Sequence, residues 1–138
     1  LAKMGLVPQG DMTWQERIQS EFVEASGRLY AGQSSTFAAV MAREGSFELV
    51  FLSELGDGTW LATGFADEID RELVTVSADG HVLTHPRVRI ENRDEPVAKI
   101  AAAHQAKLRK PPAPPKAAPT DPASVRGAFD RFLTAVYG

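Results

Sequence analysis

Histidines, carboxylates and arginines carry whatever chemistry this chain can perform, because its 138 residues include no cysteine. That absence excludes a disulfide scaffold, a thiolate zinc site, an iron–sulfur cluster and a cysteine nucleophile. The histidines are His81, His85 and His104. His81 and His85 are evenly spaced along one expected strand and can share a face. With Asp79 or His104 they would approach a two-imidazole, one-carboxylate metal set. Pro86 distorts that strand, however, and His104 falls on an apolar helical stripe. The expectation is therefore no metal site, no cofactor and a core that closes without metal.

Asp67, Glu68, Asp70 and Glu72 form the densest carboxylate group. Two carboxylates in unequal environments can act as general acid and base. These lack the glycine and ligand spacing of a calcium loop and read as a solvated connection. Arg87, Arg89 and Arg93 share strand parity with Glu91, which suits an anion site or, equally well, an ion pair on an exposed sheet face. No aromatic residue is interleaved between Arg87 and Arg109, so no nucleic-acid site is expected there. The phosphate cradle GxxxxGK[ST], GxGxxG, the GxSxG elbow and HExxH are all missing. Gly56-Asp57-Gly58 reads as a turn. No catalytic residue is assigned.

The elements that would position these residues follow from periodicity. Thr13 and Glu16 match a capping box, and Trp14, Ile18, Phe22 and Ala25 recur at helical spacing until Gly27. An N-terminal helix is expected. From Thr36 to Ile90 the period becomes that of strands: Thr36–Arg43, Phe47–Glu54, Thr59–Ala66, Arg71–Ser77 and His81–Ile90. Asp79-Gly80 joins the last two as a tight hairpin. This predicts an antiparallel meander of about five strands, with Leu49–Leu52 central and Pro86 at an edge or bulge. A helix follows Pro96, with Val97, Ile100, Ala101, His104 and Leu108 along one side, lying across the sheet.

Five of the ten residues from Lys110 to Pro119 are proline. Such a segment is an extended spacer, reaching roughly 30 Å at about 3.1 Å per residue. Beyond it Asp121-Pro122 caps a last helix whose stripe is Val125, Phe129, Phe132, Leu133 and Val136. The fold class expected is α+β. Its parts are residues 1–11 as a tag or native lead-in, an α+β domain over 12–109, a Pro-rich linker over 110–119, and a docking helix over 120–138. The lead-in reading rests on Gly5–Met12, which looks like a protease-site linker with Gln9 where arginine belongs.

Charge is segregated along the chain. Residues 1–80 hold 5 basic and 13 acidic side chains, net −8; residues 81–138 hold 10 and 5, net +5; together they give −3. Acidic sheet edges facing a basic helix within one molecule, or a dipolar surface for self-association or for a charged partner, would account for this. No run approaches 18 apolar residues, so no bilayer-spanning helix is expected. No export signal is visible, and a cytoplasmic location is expected.

Two functions suit these features. The first is a non-catalytic interaction or assembly module of a larger protein. Its C-terminal stripe would dock on a protein partner or a symmetry mate, most simply in a homo-oligomer by helix exchange. The alternative is a small-molecule-binding domain or enzyme, its pocket between the sheet and helix 97–108 lined by Tyr30, Trp60 and His104.

Overall fold

The structure, a computed structural model, describes residues 6–18, 21–32, 35–43, 46–64, 75–79, 81–93, 95–117, 119 and 121–137. Among these residues eight strands and two helices follow one another: β1 (Val7–Ile18), β2 (Glu21–Ala31), β3 (Phe37–Arg43), β4 (Ser46–Glu54), β5 (Trp60–Gly64), β6 (Thr75–Val76), β7 (Val82–His85), β8 (Val88–Asn92), α1 (Val97–Leu108) and α2 (Pro122–Tyr137). All eight strands form one sheet in the order β1-β2-β3-β4-β5-β8-β7-β6. The first five form an antiparallel meander, but β5 pairs in parallel with β8. The sheet is therefore mixed and larger than the five strands expected from sequence.

Among the described residues no helix forms near the N-terminus. The segment read as one is the β1–β2 hairpin, in which Trp14 lies opposite Ala25 and Met12 opposite Gly27. On a helix Trp14, Ile18, Phe22 and Ala25 would share one side, and in the hairpin Trp14 stands directly opposite Ala25, so the same apolar spacing suits both. The choice is made by tertiary packing. Trp14, Ala25, Leu29 and Ala31 alternate along the strands and all enter one core, and a weak local capping signal does not outweigh that burial. β1 already starts at Val7, and Leu6 before it is buried.

The expected strand His81–Ile90 is two strands. Pro86 and Arg87 form the turn of a hairpin in which His85 pairs with Val88. A residue without an amide hydrogen fits a turn better than a ladder. Gly64 closes β5 where no other residue fits: its φ is +149°, and a Cβ there would stand 2.1 Å from the Leu49 carbonyl oxygen.

Each face of the sheet carries one helix. α2 covers the face formed by Trp14, Leu29, Phe37, Leu52, Trp60 and Ile90, while α1 covers the face carrying Ala38 and Phe51. Trp14 on β1 meets Phe129 edge-on at 4.8 Å, and Trp60 on β5 meets Phe132 at 5.5 Å. β1 and β5 are four strand spacings apart, roughly 19 Å on a flat sheet. Phe129 and Phe132 lie within one turn of a helix only about 10 Å wide. The sheet must therefore curl around α2, bringing both tryptophans to the same turn.

The Pro-rich segment carries the chain from one face to the other. Pro114 accepts a hydrogen bond from the Gly56 amide (2.6 Å), and Lys116 donates one to the Glu54 carbonyl (2.8 Å). Pro115 bridges Leu55. Residues 110–117 thus form a strap over the end of β4. Helices on opposite faces must be joined around the sheet, and this accounts for a long extended spacer without a distant target.

Candidate functional site: a hydroxyl–imidazole chain beneath the first helix

Ser53 and Thr63 are hydroxyl residues in otherwise apolar stretches, Leu49–Leu52 and Trp60–Ala62. Strand register places them on one face. Phe51 pairs with Thr63, Ser53 with Leu61, and Thr63 with Glu91, so a diagonal of polar side chains crosses β4, β5 and β8. Thr36, just before β3, extends it. α1 lies over this diagonal and presents His104 and Lys107 one turn apart on the same side.

The groups connect in sequence. Ser53 Oγ lies 2.7 Å from His104 Nε2, and Thr63 Oγ1 lies 2.9 Å from Nδ1. Lys107 Nζ donates to Thr63 Oγ1 (2.8 Å) and pairs with Glu91 Oε2 (2.7 Å). Thr36 Oγ1 is 3.3 Å from Ser53 Oγ and accepts from Gln105 Nε2 at 3.1 Å. Arg93 also pairs with Glu91 and reaches Glu95. An ammonium can only donate, so Thr63 accepts from Lys107 and passes its own hydrogen to Nδ1. His104 then carries its hydrogen on Nε2, donating to Ser53, which donates to Thr36. We assign this tautomer because it gives both hydroxyl hydrogens an acceptor.

Ser53, Thr63 and His104 are all 0% exposed. Burial, with the charge of Lys107 beside it, lowers the His104 pKa to about 3, although Glu91 acts in the opposite direction. The imidazole is therefore neutral. Burial alone would raise the Glu91 carboxyl, but the Lys107 ammonium and the Arg93 guanidinium outweigh it and hold the group below its usual range. Lys107 itself is lowered by burial, in part offset by Glu91.

A serine hydroxyl 2.7 Å from an imidazole has the spacing of a nucleophile and its base. Here both ring nitrogens are engaged and Ser53 is sealed, so no substrate atom reaches it unless α1 lifts. What the arrangement does is fix α1 in register on three strands. Among the described residues no buried side-chain nitrogen or oxygen lacks a partner.

The residues singled out from sequence are distributed as follows. Tyr30 is half-buried on the α1 face with His104, whereas Trp60 lies on the opposite face, in contact with Phe37 and Phe132. The three are not brought together. His81 is exposed ahead of β7, and His85 Nδ1 accepts the Arg87 amide hydrogen at 3.1 Å. Among the described residues no group of three histidines or carboxylates is arranged to hold a metal. Asp67, Glu68, Asp70 and Glu72 lie outside the described residues. Val125, Phe129 and Val136 are buried, with Phe132 and Leu133 packed beside them, against the chain's own sheet. Ser53, Thr63 and Lys107 join the site only through the fold. The available signal was a lone hydroxyl in each of two apolar strands, since a polar group in a buried position needs a partner. Among the described residues, no helix is long and apolar enough to cross a membrane. Compared with known protein families, curated proteins and solved structures, the chain matches none.

Proposed function

We propose that this chain is a non-catalytic interaction module that assembles by exchanging α2 between copies. The observation that carries the reading is the way α2 is attached. Its aromatic stripe is one wall of the core, and among the described residues the strap leading to it is hydrogen-bonded to the sheet through residues 114–116 against 54–56. A closed monomer and an exchanged dimer share the same α2–sheet contacts. They differ in the path of a stiff strap and in concentration, so little free energy separates them. The sealed Ser53–His104 pair, which leaves no accessible nucleophile at that point, supports a non-catalytic role.

Light scattering across a wide concentration range tests this. The expected result is a dimer that grows with concentration and keeps the melting behaviour of the monomer. A monomer at every concentration, including after partial unfolding and refolding at high concentration, contradicts it.

A further inference from the structure

Between the strap and α2 lies a cleft of about 460 Å³, within the range of small-molecule sites. Glu54 stands at its edge with its side chain only 12% exposed, between two cations that are half exposed. Arg131 Nη2 and Nε donate to its two oxygens at 3.0 and 3.3 Å, and Lys116 Nζ stands off at 3.5 Å. Two cations thus share one carboxylate, leaving one positive charge in excess. Arg131 uses Nε and Nη2 on Glu54, while its Nη1 turns toward Gly127, 3.8 Å from where a Cβ would stand. That missing side chain keeps the cleft open against α2. Phe37, Ala123 and Ala128 supply apolar walls beside these donors.

We propose that this cleft binds a small monocarboxylate with a short apolar body. Its carboxylate lies between Lys116 Nζ and Arg131 Nη1, where charge-assisted donors remain after Glu54 is served. Its apolar part lies along Ala123, Gly127 and Ala128 toward Phe37. One excess positive charge matches a singly charged anion, and Glu54 repels a more highly charged one. The cleft is built from the strap, α2 and the sheet of one closed chain, so the titration is run at a concentration at which the chain is monomeric.

NMR titration of the full chain with hexanoate and with hexanamide tests the assignment. Hexanoate is expected to give saturable shifts in the amides of residues 35, 116–117 and 123–131. Hexanamide is expected to bind roughly tenfold more weakly, the loss of a charge-assisted contact. Lys116→Gln, at a half-exposed side chain, should weaken hexanoate several-fold, and Gly127→Leu should abolish the shifts by filling the cleft. Absence of saturable shifts at millimolar hexanoate, equal binding of the amide, or unchanged affinity in Lys116→Gln overturns it. If Gly127→Leu alters the fold, the amide and Lys116→Gln comparisons still decide.

Discussion

Ser53 on β4 and His104 on α1 meet at 2.7 Å in a site from which solvent is excluded, 51 residues apart in the chain. The contact joins a helix to a sheet face through one imidazole, and its neighbours Thr63 and Lys107 complete the connection to Glu91. A polar link this deep is more demanding than an apolar contact. Every member must stay neutral or paired, or the buried partners are left unsatisfied.

Acid should therefore weaken the fold through His104. Unfolded, the imidazole titrates near 6.5; folded, at about 3. Between those values the unfolded chain binds the extra proton, so the contribution is complete above pH 6.5 and is lost as pH falls toward 3. The slope from this residue is at most ~1.4 kcal/mol per pH unit. His85, also lowered by burial, acts in the same direction. Urea unfolding at about pH 7, 6 and 5 should show the decline, and His104→Gln should flatten it while lowering stability at every pH. Equal slopes in the two proteins would remove His104 from the account.

Two glycines test the backbone by different routes. Gly58 has φ +86° in the β4–β5 turn with open space around it. Gly58→Val should destabilise by roughly 1–3 kcal/mol through backbone strain alone. Gly64→Ala adds a clash with the Leu49 carbonyl and should exceed this, at roughly 3 kcal/mol or more. Thermal melts of both variants check the order, and a smaller loss at Gly64 would show the β4–β5 register to be wrong. Gly80, the other turn glycine singled out from sequence, lies outside the described residues.

Phe129 is nearly fully buried between Trp14 and Phe132. Phe129→Ala should lower unfolding free energy by roughly 3–5 kcal/mol, as for other large core aromatics. A loss below about 0.5 kcal/mol, typical of surface positions, would mean that α2 is not part of the core.

Ending the chain after Lys110 removes the strap's attachment and α2 together. Trp14, Phe37 and Trp60 then lose their cover, and tryptophan emission should shift to the red with binding of a hydrophobic dye. Unchanged emission together with cooperative melting would show that residues before the strap form a closed core without α2.

What could be read from the sequence was whatever carried its signal locally. Helix α1 occupies Val97–Leu108, with Ile100 and His104 of its stripe buried and Val97 exposed at its start, and Asp121 caps α2 by accepting the Ser124 amide hydrogen. The run Leu49–Leu52 does lie in a central strand. The N-terminal hairpin was not readable, because Trp14, Ile18, Phe22 and Ala25 satisfy a helical period while long-range burial selects the strand. Nor was the parallel β5–β8 pairing, which depends on chain distant in sequence. For the site, His104 stands out on its helical stripe but its hydroxyl partners do not. Ser53 and Thr63 are ten residues apart and become neighbours only through register. The proline content of the spacer marks it as extended, but its path follows from the two helices occupying opposite faces.

Exchange of α2 is most directly tested by energy transfer between full-length chains. The chain has no cysteine, so Thr134→Cys on the exposed side of α2 and Ser26→Cys on the outer side of β2 each give one labelling site. Donor-labelled Thr134→Cys and acceptor-labelled Ser26→Cys chains are mixed at high concentration and followed over time. Exchange predicts transfer that grows as dimers form and disappears on dilution at the rate at which α2 is released. Transfer that never rises above that of chains mixed and measured at once, with each chain remaining monomeric, would contradict the proposed assembly.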